Sequence, residues 1–429
     1  MQPVKSVLVF RDRTPVLTLA SRHPEILSVL KGHGLISNSG DRVHFCGVVS
    51  RASDIAVFLP RSTREVNSNE TKKITSMLLR AIHRYARDRD SKIHSNDEGE
   101  SVLGSVRLSS IISLLDDYAN YGLYSRRVSE RTINSGKLDW KRTVANEIPF
   151  LGNSGPVYLN IRGNRRRFLS ECEVARIHAK VIRELDRDYS WLINGGDSSV
   201  DSNLIDVQLP LGNTRAQIAY LETQMQGAFS DRDVFLFRTL IQYLETSSGY
   251  SASEHVIGVK EFHGMWEHML HQSLHNTFPA NRFLAAPVYR IDGGLYQAKN
   301  QRQRTDTVLK DPNSNLFTIV DAKYYAALGL PSSPQLSDII KQLFYAQALK
   351  LKWPNATLGN AFVFPGGKGP IESVHMSNAE KKHINDADLL DREYPPIRCF
   401  YVEPLLLIDA FVKRKKLDDL SFQLLRIAI

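Results

Sequence analysis

Three short stretches near the start of the chain, Ser6 to Arg11, Val43 to Val49 and Ile55 to Leu59, carry apolar runs bounded by Gly, Asn and Asp turns. Such runs predict short strands. From Glu70 to Arg89 the period changes, with Ile74, Leu78, Ile82 and Tyr85 at helical spacing, so one apolar stripe of a helix is expected there. Together these elements predict a small α+β domain over residues 1–92. The run from Ser91 to Ser101 is polar and poor in helix formers and reads as a linker. Residues 102–250 read as a largely helical middle region. Helices are expected at Leu108 to Tyr121 and Cys172 to Leu192, strands around Gly136 and Pro156, and a further helical stretch through Thr246 after a polar break at Gly195 to Asn203.

The third segment, 256–429, alternates helix and strand patterns and predicts a central mixed sheet flanked by helices, so the fold class is mixed α/β. Phe262, Met265, Trp266, Met269 and Leu270 form one side of a helix, which leaves Glu267 on its polar edge. The apolar run Leu316, Phe317, Ile319, Val320 ends abruptly at Asp321. Before it, Asp311 to Asn315 supplies turn chemistry, so a hairpin brings Asp306 beside Asp321. Side chains alternate along a strand, which puts Asp321 and Lys323 on one face and Ala322 on the other. A second helix follows from Asp338, with Lys341, Gln342 and Tyr345 sharing a face, then strands at Asn360 to Phe364 and Cys399 to Val402.

Two carboxylates and an ammonium in this order follow the D-x(n)-(D/E)-x-K pattern of the PD-(D/E)XK nucleases. Hard oxygen ligands suit Mg²⁺, with Mn²⁺ as an admissible substitute, and a lysine beside them can hold or activate the attacking water. The candidate catalytic residues are Asp306, Asp321, Lys323, Glu267 and Gln342, and the candidate metal ligands are Asp306, Asp321 and Glu267. Arg302 and Arg304, just before the first acid, are placed to touch phosphates with Lys341 and Tyr345.

Composition agrees with a nucleic-acid partner. Lys and Arg number 55 against 46 Asp and Glu, for a net charge of +9 and a pI near 9.3, which favours a polyanion such as double-stranded DNA. A second basic cluster, Arg162 to Arg167, reads as a solvated loop or a surface that meets another subunit. The three cysteines, Cys46, Cys172 and Cys399, lack metal-ligand or CxxC spacing and read as reduced core residues. His268, His271 and His275 read as a polar helix face, and Trp140 as a core residue with Lys141 and Arg142 at its solvent edge. No apolar leader or long apolar run is present, so no membrane contact is expected and the cytoplasm is the expected location.

The set Trp266 and Glu267, Arg304 to Asp306, Asp321 to Tyr325, Asp338 to Gln342 with Tyr345, and Asn360 to Pro365 resembles the LlaJI-type restriction endonucleases, relatives of the McrC nuclease subunits. Gly136 to Thr143, Pro156 to Tyr158 and the helix carrying Ile177 and His178 extend the resemblance, which spans roughly residues 105 to 410. One departure stands out: Thr305 occupies the position where many family members have proline. The resemblance implies a PD-(D/E)XK core, cleavage of foreign DNA, a separate McrB-like AAA+ GTPase or ATPase motor acting in trans, and a cognate methyltransferase in the same system. The chain has no G-x-x-x-x-G-K-[ST] loop, since the glycines at Gly366, Gly367 and Gly369 lack that spacing.

The expected function is therefore a Mg²⁺-dependent endodeoxyribonuclease subunit of a restriction system. Two rivals stand beside it: a non-cleaving subunit that binds DNA and regulates the motor, and a repair nuclease of the same fold.

Overall fold

The computed structural model of the chain describes residues 7–51, 54–90, 101–152, 155–169, 171–187, 204, 206–248, 254–297, 304–378 and 383–427. The expected linker, apart from Ser101, the polar break at 195–203, the end of the 172–192 helix and Arg302 lie outside them. Contacts divide the chain into one unit of Met1–Leu108, Leu192–Gly196 and Ser253–Ile429 and another of Ser109–Trp191 and Asp197–Ala252. The segments 1–92 and 256–429 thus share one unit, and most of the expected middle region forms the other.

The first unit opens with β1 (Val7–Arg11), α1 (Val16–Ala20), α2 (Pro24–Gly32), β2 (Phe45–Arg51), β3 (Asp54–Leu59), α3 (Ser68–Asp90) and β4 (Ser101–Leu103). The expected strands and the long helix are present. Helix α2 was not among them, although its Ile26, Leu27, Val29 and Leu30 are buried against Phe45 and Phe58. The sheet runs β1-β3-β2, then strand Glu254–Lys260, then β4. Gly258 of that late strand sits opposite Gly47. A Cβ on Gly258 would come 2.4 Å from the Phe45 ring, and one on Gly47 2.2 Å from the Ile257 carbonyl, so the close approach of the two strands requires glycine on both.

The second unit holds most of α4 (Ser105–Tyr121), then β5 (Arg126–Ile133), β6 (Lys137–Leu138), α5 (Trp140–Asn146), β7 (Phe150–Gly152), β8 (Gly155–Val157), β9 (Arg162–Leu169), α6 (Glu173–Leu185), α7 (Thr214–Gln226) and α8 (Asp231–Ser248). It is less helical than the sequence pattern suggested. β5 pairs antiparallel with β9 along its whole length and β6 adds to the other edge of β9. Strands expected around Gly136 and Pro156 are present as β6 and β8, whereas β5 and β9 were illegible because they are basic and lack an apolar face: Arg162 to Arg167, read as a solvated loop or a surface that meets another subunit, lies in strand β9. Trp140 is 52% exposed, not a core residue; it begins α5, where Asp139 accepts the Arg142 N–H, and its ring meets Tyr158 edge to face. Inside the helices, His178 is buried and accepts the Tyr124 N–H, and burial lowers its pKa to about 4.

The first unit resumes with that late strand, β10 (Glu254–Lys260), which runs directly into α9 (His263–Ser273), and continues through the hairpin β11 (Val288–Ile291) and β12 (Gly294–Gln297), then β13 (Thr307–Lys310), β14 (Leu316–Ala322), α10 (Leu336–Lys352), β15 (Thr357–Pro365), β16 (Ser373–Val374), β17 (Ile397–Val402), α11 (Pro404–Lys413) and α12 (Asp418–Arg426). Its sheet has the order β13-β14-β15-β17-β16. β14, β15 and β17 are mutually parallel, and the edge strands β13 and β16 are antiparallel to their neighbours.

Alternation sorts the two faces of β14. Phe317 and Ile319 pack with Ala346 and Leu349 of α10, whereas Thr318 turns away and bonds the Leu424 carbonyl of α12. Asp321 therefore leaves the sheet on the α10 side. Cys46 is buried and Cys172 and Cys399 are partly so, all three as free thiols. Among the described residues no helix is long and apolar enough to cross a membrane.

Phe317 is 1% exposed, stacked on Trp353 at 5.1 Å and edge-on to Phe278 at 5.5 Å. Phe317→Ala should cost about 3–5 kcal/mol, measured as a shift of the chemical-denaturation midpoint; a change within about 0.5 kcal/mol, the range of neutral surface substitutions, would show that this face of β14 is not the core.

Candidate active site

The hairpin puts the two acids together. Thr307 pairs with Val320 across β13 and β14, so Asp306, one residue earlier, reaches the end of β14, where its Oδ2 accepts the Ala322 N–H at 3.0 Å. It also shares a hydrogen bond with the Asp321 carboxyl. Burial first, then the charges of Glu267 and Asp321, raise the Asp306 pKa well above the usual carboxylate range. Two carboxylates at such a distance, out of water, cannot both ionise at ordinary cost. A hydrogen bond between them requires a proton on one of the two.

Lys323 supplies the positive charge. Its Nζ lies 2.7 Å from Asp321 Oδ2 and donates to Asp338 Oδ1 at 2.9 Å. Burial pulls the ammonium pKa down, but Asp321 and Asp338 outweigh it and leave it above the ordinary lysine value. Lys323 is therefore charged at any pH near neutral. Its own N–H bonds the Val363 carbonyl of β15 at 3.0 Å, which fixes the backbone from which the side chain projects.

A cavity of about 350 Å³ brings Glu267, Asp306, Asp321, Lys323, Lys341 and Tyr345 to one place, with His263, Ala322, Tyr324 and Tyr325 completing its wall. Burial and then the Asp306 and Asp321 charges raise the Tyr345 hydroxyl, which stays protonated as a donor toward the acids. The Tyr325 hydroxyl is buried without a hydrogen-bond partner, a donor that a bound group would satisfy. A larger groove of about 800 Å³ beside Phe344 and Tyr394 holds none of these acids.

Not every residue singled out in the sequence reaches the cavity. Gln342 is 1% exposed, and its Nε2 donates to the carbonyls of Ile319 and Ala361 at 3.1 and 3.0 Å. It braces α10 against β14 and β15 and does not line the cavity. Arg304 is exposed and is not among the lining residues. The expected histidine stripe is broken, because His275 lies past the end of α9; His268 contacts Asp88, His271 contacts Thr307 and His275 contacts Asp418.

Asp338 was within a quoted motif but was not expected at the site; its place in the first turn of α10 was the available signal. Asn281 had no signal at all. Its carboxamide accepts both the N–H and hydroxyl of Thr305 and donates to the Thr305 carbonyl, each at 2.9 Å. Proline has no N–H to give this clamp. The clamp fixes the approach to Asp306 by hydrogen bonds where proline would do so through its ring.

The groups able to hold a cation are Asp306, Asp321 and Glu267. Among the described residues no three such side chains are grouped as a ready cation cage. The pair nevertheless fits an oxygen-preferring ion by its chemistry, because a cation between the two carboxylates would displace the shared proton.

With fold and site in view, comparison with known proteins places the chain among restriction enzymes. The family model for the LlaJI restriction endonuclease matches residues 45–380, a span that includes every described cavity residue. The chain belongs to the LlaJI restriction endonuclease family. The type II restriction enzyme BsuMI component YdjA of Bacillus subtilis (strain 168) is 22% identical over 357 residues, 79% of this chain and 76% of that protein. Among solved structures, the half-complex of Thermococcus gammatolerans McrB AAA+ hexamers with bound McrC matches 97% of this chain and 100% of that chain at 12% identity and a TM-score of 0.43. The McrBC complex of the same organism matches 61% of this chain and 85% of that chain, at 12% identity and a TM-score of 0.28.

The raised Asp306 sets the sign of a pH test. Between the ordinary carboxylate pKa and the higher folded value, the folded chain binds a proton that the unfolded chain has released, so stability falls as pH rises through the folded value. In chelator, Asp306→Asn should melt above wild type at about pH 8 and lose that advantage toward about pH 4. A variant that melts lower at the alkaline end would show that the pair is not strained.

Proposed function

We propose that the chain is the cleaving subunit of a restriction system: a Mg²⁺-dependent endodeoxyribonuclease of the PD-(D/E)XK type that hydrolyses phosphodiester bonds in double-stranded DNA. The observation that carries this reading is the convergence of Asp306, Asp321 and Lys323 in one cavity at the end of β14. The succession α9, β13, β14, α10, β15, with an antiparallel hairpin and then a parallel step, supports a core of that type. Membership of the LlaJI family supports the restriction role.

In this mechanism Asp306 and Asp321 would hold the ion, with Glu267 contributing directly or through water. The ion, when bound, polarises the phosphate and lowers the pKa of a coordinated water. Lys323, held charged by Asp321 and Asp338, is poorly suited to take a proton. An ammonium has three donors, and two are committed to these acids. The third holds the attacking water or a phosphate oxygen as negative charge grows. Tyr345, Tyr325 and Lys341 complete the grip on the phosphate, and Arg302 and Arg304 contact the neighbouring backbone. Gln342 contributes by bracing α10.

Residues 1–429 carry no phosphate-binding P-loop motif, and the proposed partner is an AAA+ motor that acts in trans. A cognate methyltransferase would protect the host's own sites.

Covalently closed plasmid, tried unmethylated and methylated, should be cut in at least one of the two forms in Mg²⁺ by the chain together with an AAA+ motor and its nucleotide. Asp321→Ala and Lys323→Ala should each lower the single-turnover rate by at least about 10²-fold while DNA affinity and melting temperature stay near wild type. Cleavage that survives both changes would refute the assignment. A folded wild-type chain that never cuts, yet stimulates the motor's hydrolysis, would establish the regulatory rival.

A further inference from the structure

Two tyrosines follow Lys323 and are treated differently. Tyr325 turns an unpartnered hydroxyl into the cavity wall. Tyr324 is 7% exposed, and its hydroxyl is held from the N-terminal part of the unit. It accepts the Arg61 N–H at 3.0 Å, just past β3, and lies 3.7 Å from Cys46 Sγ on β2. The ring of Tyr324 packs against Phe262 at 5.3 Å and Trp266 at 6.0 Å, next to Glu267 on the same helix.

Behind the hydroxyl sits Asp12, 3% exposed at the end of β1. Its Oδ1 accepts the Phe45 N–H at 3.1 Å. Its Oδ2 has no hydrogen bond of normal length but faces Arg13 at 3.5 Å. Burial pushes the Asp12 carboxyl up to about 6, and Arg13, the Phe45 N–H and the nearby Tyr324 hydroxyl work against that rise. A buried acid, a buried phenol and a buried thiol thus meet at the end of the first sheet, behind the wall that Tyr324 gives the cavity and outside the mechanism above.

The backbone makes the meeting consequential. Tyr324 is bonded to Lys323, whose N–H is tied to Val363, so the chain between β14 and the first sheet is anchored on both sides of the lysine. The same first sheet continues through β10 into α9, with Glu261 at the junction in the left-handed region at φ 57°, a conformation a non-glycine residue adopts only when its surroundings impose it. Glu267 and Lys323 are therefore both positioned from the N-terminal sheet, one through the β10 to α9 junction and the other through the Tyr324 hydroxyl.

We propose that Tyr324 is a positioning residue, through which the N-terminal sheet, by way of the Arg61 N–H and Asp12, sets the place of the Lys323 ammonium over the acid pair; its effect on cleavage rests on the nuclease reading. Tyr324 touches no reacting atom in this scheme. Its ring is packing, and its hydroxyl sets the geometry.

Tyr324→Phe separates the two, because it keeps the ring and removes the hydroxyl. The full chain, with its motor and nucleotide where cleavage requires them, is assayed on closed plasmid in single turnover beside wild type and Asp321→Ala. In parallel, the acylation rate of Lys323 by a water-soluble acetylating ester is followed by mass spectrometry without DNA. A displaced catalytic group costs about 10²-fold in rate when it moves by about 1 Å. The expected result is a kcat about 10- to 100-fold lower, DNA affinity and melting temperature near wild type, and faster acylation of Lys323. Wild-type kcat and acylation in Tyr324→Phe would overturn the proposal, as would a loss confined to DNA affinity.

If wild type itself does not cut while Tyr324→Phe still speeds acylation, the positioning role stands and the nuclease reading falls. If Tyr324→Phe melts well below wild type, Asp12→Asn, which retains an oxygen for the Phe45 N–H, carries the test. The same two changes in smaller measure are expected, and their absence overturns the proposal.

Discussion

Two carboxylates forced together at the end of a buried strand are the constraint around which the rest of this chain is arranged. Asp306 and Asp321 meet because β13 and β14 pair antiparallel, with Thr307 opposite Val320. Burial, then the charges of Glu267 and Asp321, raise the Asp306 pKa well above the usual carboxylate range. That arrangement is costly by itself. It persists because the surroundings determine it: the Ala322 N–H on Asp306, the Asn281 clamp one residue before it, and Lys323 against Asp321. In the proposed mechanism a cation would replace the proton that now relieves the repulsion between the two acids.

The neighbouring elements serve the same end. Gln342 ties α10 to the carbonyls of β14 and β15, which keeps Lys341 and Tyr345 over the acids. Asp338 in the first turn of α10 takes one donor of Lys323 and so fixes a side chain that would otherwise swing freely on four carbons. β10 belongs to the first sheet yet delivers α9 and Glu267 to the second. The geometry of the candidate site is built from both sheets of this unit.

Much of the site was legible in the sequence, and for identifiable reasons. An apolar run that stops at Asp321, a turn-rich loop and an acid before it are local signals, and each was realised in the hairpin. What stayed hidden was non-local or carried no pattern. No local signal says that β10 inserts beside β2, 211 residues away in the chain from Gly47 to Gly258, because the contact of these two glycines that permits it is a match between distant positions. The basic strands β5 and β9 show no apolar face, so periodicity could not find them. Gln342 was read as part of the cavity because it shares a helix face with Lys341 and Tyr345; a side chain that points a few tens of degrees further inward meets backbone carbonyls instead. Thr305 looked like a departure from the family pattern, and only the fold reveals Asn281 as its compensation.

The most direct test of the acid pair as a cation site is calorimetric titration of the folded chain with Mg²⁺ in buffers of different ionisation enthalpy. The expected result is binding coupled to proton release, because the ion takes the place of the proton that Asp306 and Asp321 share, with that release lost in Asp306→Asn. Binding with no proton release, or no binding by a folded chain in the presence of DNA, would contradict it.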